Sequence, residues 1–242
     1  MVTNPTSAST TSHADRRTAM TAGVLFIVAT GASLVGSAVE PVLTRTDYLT
    51  RISQNANSVS AGALLELIAA GTSVAIAIAL YPVLKRWNQS MALGSVVFRT
   101  IEAVMYTAGA VSLLSLLTVG QLFARSATAD RASVQAIGDA LVGVRQESVL
   151  AGVFAFALGA LMYYAIFYRS RLIPVWLSGW GIVGVILMLV ACLSALFTRN
   201  PVTSYVILIL PIAVQEMVLA VWLIAKGFNS SALQPAEPVE LR

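Results

Sequence analysis

Charge is what this chain lacks. Lysine, arginine, aspartate and glutamate make up 11% of its 242 residues, against about 25% in an ordinary soluble domain, and so few charges cannot cover a water-facing surface. Cysteine and histidine occur once each, as Cys192 and His13, which excludes a disulfide framework and a zinc site built from those residues. No G-x-S-x-G or H-E-x-x-H motif occurs, and Cys192 has no base beside it. Hydrolytic chemistry therefore has no nucleophile and base to work with, and neither an enzyme nor a cofactor is expected. What the chain has instead is apolar side chains: 57% of the residues, with a mean hydropathy of +0.81. Together these features describe an integral membrane protein.

A bilayer core about 30 Å thick is crossed by roughly 20 residues of helix at 1.5 Å each. Six stretches between charges are long enough, at about 18–39, 61–84, 92–119, 148–168, 172–198 and 204–225. None alternates in and out with the two-residue period of a barrel strand, and in lipid only helices or closed barrels satisfy their backbone hydrogen bonds. The expected fold is all-α: a polytopic bundle of six transmembrane helices over residues 16–228, between disordered tails at 1–15 and 229–242. The first apolar stretch is too long for the h-region of a cleaved signal peptide.

Basic residues set the expected orientation. With the N-terminus inside, Arg16, Arg17, Lys85, Arg86, Arg169, Arg171, Lys226 and Arg242 are cytoplasmic and sit in short segments, where the positive-inside bias is strongest. The opposite side holds Arg45, Arg51, Arg125, Arg131, Arg145 and Arg199, mostly in two longer loops. Trp87, Trp176, Trp180 and Trp222, joined by Tyr81, Tyr163, Tyr164 and Tyr168, fall at the cytoplasmic ends as an aromatic belt. Both termini are thus expected in the cytoplasm, with the bilayer as the partner of the net charge of +4 and no role for nucleic acid. In the second outer loop Asp130 is placed to cap a short amphipathic helix with Val134, Ile137, Leu141 and Val144 on one face. Such loops would cover the outer end of the bundle or act as a mobile lid.

Without a hydrophobic drive between helices in lipid, small residues must supply close packing. Stripes are present at Ala63, Gly71, Ala75 and Ala79, and at Ala151, Ala155 and Gly159. Gly179, Gly181 and Gly184 spell G-x-G-x-x-G inside an apolar helix with no strand before it, which is a packing face and no dinucleotide site. Pro211 lies inside the sixth span and is expected to kink it.

Four ionisable residues fall within the spans, each costing about 2.5–3.5 kcal/mol at the bilayer centre if unpaired. Counting from the cytoplasmic ends, Arg99 lies about 10 Å deep, Glu216 about 13 Å and Glu102 about 15 Å. Arg99 and Glu102, three apart, adjoin on one helix face, and Glu216 approaches from the sixth span beside Gln215. Glu66 stands near the outer end of the second span and is expected to snorkel outward or line an outward cavity. Tyr106, one turn beyond Glu102, is within reach of the same layer. Two readings are open: a structural clasp between spans three and six, or a site where one arginine facing two carboxylates leaves an excess negative charge for a proton, a cation or a cationic ligand.

The run ALYPVLKRWNQSMALGSVVFRTIEAVMYT at 79–107, with FYRSRLIPVWLSGWGIVG at 167–184 and LPIAVQEMVLAVWLIAKGF at 210–228, resembles the bacterial membrane proteins grouped as domain of unknown function 4386. The resemblance runs from about Arg16 to Phe228. It implies a multi-helix protein of a bacterial cytoplasmic membrane and carries no activity with it. The functional expectation is therefore a small transporter or ion-coupled carrier using the Arg99, Glu102 and Glu216 layer, with an unknown small-molecule or ion ligand. Its alternative is an accessory or sensor that binds a partner membrane protein or a second copy of itself.

Overall fold

The computed structural model describes residues 5–37 and 40–233. They are helical almost throughout, with no strand among the described residues: α1 (Pro5–Gly36), α2 (Glu40–Leu43), α3 (Tyr48–Gln54), α4 (Ala56–Leu84), α5 (Gln89–Arg125), α6 (Arg131–Ser170), α7 (Val175–Thr198), a 3-10 turn (Val202–Tyr205), α8 (Val206–Ala225) and α9 (Ser230–Leu233). Six segments are long and apolar enough to cross a membrane: Ala14–Gly36, α4, α5, α6, α7 and Val202–Ala225. Each contains or closely matches one of the stretches read from the charge intervals.

Boundaries differ where charge and helicity part company. Helix α6 is one continuous rod of 40 residues, so the separate amphipathic helix expected after Asp130 does not exist. Asp130 makes no side-chain cap hydrogen bond either. Between Ala132 and Ser148 nothing breaks a helix, because charges mark where lipid ends and do not mark where a helix must end. At 1.5 Å per residue, α5 and α6 are about 56 and 60 Å long, so each projects roughly 25–30 Å beyond a bilayer core.

This overhang carries a cap. Helix α3 lies across it, burying Tyr48, Leu49 and Ile52 against Leu113 and Leu116. Tyr48 Oη donates a hydrogen bond of 2.8 Å to Asp139 Oδ1 on α6. Burial, and then Asp139 beside it, push the Tyr48 phenol above its ordinary value near 10. The neutral phenol is the form that fits, so its stabilisation is full below about pH 10 and is lost as the pH climbs further. Tyr48→Phe is expected to cost about 1–2 kcal/mol at pH 8. The gap between wild-type and variant melting temperatures should close above pH 10; a gap independent of pH would show that the hydroxyl adds nothing.

The opposite, basic end is tightly pinned. Asp15, 4% exposed, pairs with Arg86 through two hydrogen bonds of 2.8 and 3.0 Å. Arg16 donates to the carbonyls of Leu223, Ile224 and Ala225 at 2.8–3.3 Å, occupying acceptors that the end of α8 would otherwise leave unpaired. Asn229 N donates to Leu172 O at 2.8 Å. Helix is therefore described before residue 16, from Pro5, and past 228, at Ser230–Leu233; residues 1–4 and 234–242 of the expected tails lie outside the described residues. The belt is narrower than expected. Trp87, Trp176 and Tyr168 are exposed, whereas Tyr163 and Tyr164, a little over one turn from Tyr168 along α6, are buried in the core.

Close helix crossings also depart from the expected stripes. Gly71 has nothing within 4 Å of where a Cβ would sit, so it makes no close crossing, although Ala63 of the same stripe is buried against α3 and α5. The fifth-span glycines do pack: a Cβ on Gly181 would meet the Tyr164 ring and one on Gly184 the Ile212 backbone. Helix α1 lies on α8 near Gly23, where a Cβ would come 2.7 Å from Ala220 O, and on α4 near Gly36, where it would come 3.3 Å from Gly62 O. Helix α1 therefore packs on α8 at the basic end and on α4 at both ends, through the Asp15–Arg86 pair and near Gly36.

Candidate functional site

A cavity of about 310 Å³ lies among the helices, lined by the cap-side part of α1 and by residues of α4, α5, α6, α7 and α8. Arg99, Glu102 and Tyr106 of α5 form one wall and Glu216 of α8 faces it, with Phe26, Phe156 and Ile212 among the apolar lining. The mouth is edged by Ser33, Leu34 and Ser37 of α1 and by Thr203, all exposed. The two carboxylates and the arginine thus share one space, contributed by helices far apart in sequence.

Within it the cation is committed. Arg99 Nη1 donates to Glu102 Oε2 at 3.0 Å, with both side chains at most 4% exposed. The guanidinium also lies 4.6 Å from the centroid of the Phe156 ring, a cation–π contact. Its Nε is buried without a hydrogen-bond partner. Glu216 instead accepts a hydrogen bond of 3.2 Å from Tyr163 Oη, and no ion pair reaches it among the described residues. The layer therefore holds one guanidinium and two carboxyl groups, with Glu216 the one not matched by a cation.

Gln215 does not belong to this layer. It is fully buried on another face of α8, where its Oε1 accepts from Tyr164 Oη and its Nε2 donates 2.9 Å to Leu177 O. Successive helical residues point about 100° apart, so Glu216 and Gln215 serve different neighbours: the cavity for one, a three-helix staple for the other. Pro211 sits six residues into α8, which runs unbroken through it from Val206 to Ala225.

Glu66 has a partner that charge intervals hid. Arg145 of α6, read as a loop residue, is 2% exposed inside the bundle. It grips the Glu66 carboxylate with both terminal nitrogens, at 2.5 and 3.0 Å, and donates 2.9 Å to Gly109 O. Glu66 thus neither snorkels nor stands alone. The pair lines a second space of about 160 Å³ that shares Ser33, Ser37, Ala69, Tyr106, Val149 and Thr203 with the first. The two spaces adjoin at Tyr106, whose ring packs where a Cβ on Gly152 would come within 2.6 Å. Arg145, Val149, Val153 and Phe156 recur at helical spacing on one face of α6, a pattern that places Arg145 inward. Tyr163 was also hidden by its nearness to the helix end. Among the described residues no group of three or more histidine, cysteine, aspartate or glutamate side chains could hold a metal ion.

The family model described as Domain of unknown function (DUF4386) matches residues 21–227. The chain belongs to this family. The DUF4386 match spans all six membrane-crossing helices and includes every charged residue of the two polar clusters. No curated protein and no solved structure matches the chain. Membership of DUF4386 therefore agrees with a multi-pass membrane protein and brings no activity to the site.

Proposed function

We propose that this chain is a small membrane carrier of the cell membrane, with both termini cytoplasmic, whose binding site is the cavity between Arg99, Glu102 and Glu216. One observation carries the reading: Glu216 faces the cavity with a tyrosine hydroxyl as its hydrogen-bond partner, while Arg99 is taken by Glu102. A purely structural clasp would match its charges, because each uncompensated charge inside a membrane costs several kcal/mol. A carboxylate held open to a cavity fits exchange of a proton or cation against a solute. The proposed orientation draws support from Arg145, whose internal position removes one basic residue from the cap end and sharpens the bias toward the other side.

Purified protein in liposomes loaded with a pH-sensitive dye tests the reading. An imposed cation or pH gradient should drive flux through wild type that Glu216→Gln abolishes. Equal flux through both, or none through either, defeats it. A second reading draws on the exposed apolar residues Ile137 and Val144, seven apart on one face of α6 toward the cap: an accessory subunit that docks a partner membrane protein there. That reading requires a larger complex after extraction in mild detergent, and recovery of free protein alone counts against it.

A further inference from the structure

The charge balance, the walls and the mouth of the cavity together restrict what can occupy it. Resting on the carrier reading, we infer that the ligand is a small organic monocation, an ammonium group bearing an apolar chain, whose head pairs with Glu216 and which enters sideways from the bilayer between α1 and α8.

Three observations lead there. The layer has one more carboxyl group than it has guanidinium groups, and Glu216 is the one without a cation. An anion would have to compete with the Glu102 carboxylate for the Arg99 guanidinium, whose face is covered by Phe156, with only its Nε lacking a hydrogen-bond partner. A bare metal ion fits less well. Calcium or magnesium takes six or more oxygen ligands; the lining has the two carboxylates and the hydroxyls of Thr30, Ser33, Ser37, Ser73, Tyr106 and Thr203, but three of these edge the mouth, and the rest of the wall is largely apolar, with Phe26, Phe156, Met188, Ile209 and Ile212. Apolar walls of that kind suit a hydrocarbon chain, as in most small-molecule sites. The cavity of about 310 Å³ lies near the lower end of the range for ligand pockets, about 300–1,000 Å³, so the ligand is small.

The mouth sets the route. Ser33, Leu34 and Ser37 are exposed on α1 and Thr203 on the turn before α8, and Leu34 is 67% exposed on a membrane-crossing helix. An amphiphile resting at the interface, with its head among polar groups and its chain in lipid, already has the orientation this opening needs. Ser33, Ser37 and Thr203 offer hydroxyls to the head as it passes inward.

Calorimetric titration of the full chain in nanodiscs tests the assignment with four probes: hexylammonium, hexanoate, 1-hexanol and sodium chloride. Hexylammonium is expected to bind saturably, Glu216→Gln to weaken it at least about 30-fold, the equivalent of 2 kcal/mol for truncating one partner of a buried charge pair, and Glu216→Asp to restore part of the loss. Equal binding of 1-hexanol, preference for hexanoate, saturation by sodium alone, or unchanged hexylammonium affinity in Glu216→Gln overturns it. Helical content and melting temperature of each variant are recorded alongside, and an unfolded Glu216→Gln leaves Glu216→Asp and the probe comparison on wild type to decide. Flux that depends on Glu216 without ammonium binding defeats the ligand and spares the carrier. Ammonium binding without flux does the reverse.

Discussion

Arg99→Met is expected to destabilise the bundle by about 3–5 kcal/mol, the range for removing one partner of a buried ion pair, read as a marked fall in melting temperature in detergent. Methionine fills a similar volume and packs against Phe156, so the loss is electrostatic: Glu102, 3% exposed, is left without its counter-charge, and Glu216 loses the one nearby cation. The triple variant Arg99→Met, Glu102→Leu, Glu216→Leu behaves oppositely. Replacing an entire buried cluster with apolar residues is often neutral or stabilising, so the triple should melt at or above wild type while losing flux. If it melts as low as Arg99→Met, the charges are needed for folding and the carrier reading loses its footing. Glu216→Leu alone is expected to be nearly neutral, because the Arg99–Glu102 pair survives it.

The second large effect belongs to the outer cluster. Arg145→Met leaves Glu66 without the two hydrogen bonds that hold it and frees Gly109 O. The expected cost is about 2–3 kcal/mol, below the range for a fully buried pair, because the Glu66 side chain keeps 16% of its surface accessible and water in the adjoining space softens the loss. Adding Glu66→Leu should recover most of that cost. A double-mutant cycle measures the coupling directly: a coupling under about 0.5 kcal/mol would mean that the pair is incidental. Since this cluster lines the space that adjoins the cavity at Tyr106, the Arg145→Met and double variants should also change the rate of flux with little change in ligand affinity.

Much of this architecture was legible before any coordinates. Charge intervals located all six spans because the cost of burying an unpaired charge is large compared with anything else that varies along such a chain. The spacing of Arg99 and Glu102 gave their pairing directly, since residues three apart adjoin on a helix, and matched depth brought Glu216 to the same layer. Most departures share one cause: a charge marks the edge of lipid and need not mark the end of a span. Arg145 was assigned to a loop, although its i+4, i+8 and i+11 neighbours on α6 are apolar and inward-facing. With it went the partner of Glu66 and the continuity of a 40-residue helix. Gln215 was misplaced for a simpler reason. Nearness in sequence is not nearness on a helix, and one residue from Glu216 is a different face. The cavity itself had no signature in the sequence, because it arises from where α1 touches its neighbours at Gly23 and Gly36.

The long α5–α6 hairpin has a consequence for how the protein sits in its membrane. A rod about twice as long as the bilayer core is thick matches no particular thickness, so α5 and α6 cannot fix the depth of the molecule. That falls to the exposed Trp87 and Trp176 and the arginines and lysines around them, which anchor one end at an interface. Any change in bilayer thickness must then be taken up at the other end, where Ser37 and Thr203 edge the opening. In a thick, ordered membrane the opening is submerged in acyl chains; in a thin one it rises among headgroups and water. Lipid composition would thus adjust access to the interior from outside the protein, with no effector bound and no helix displaced.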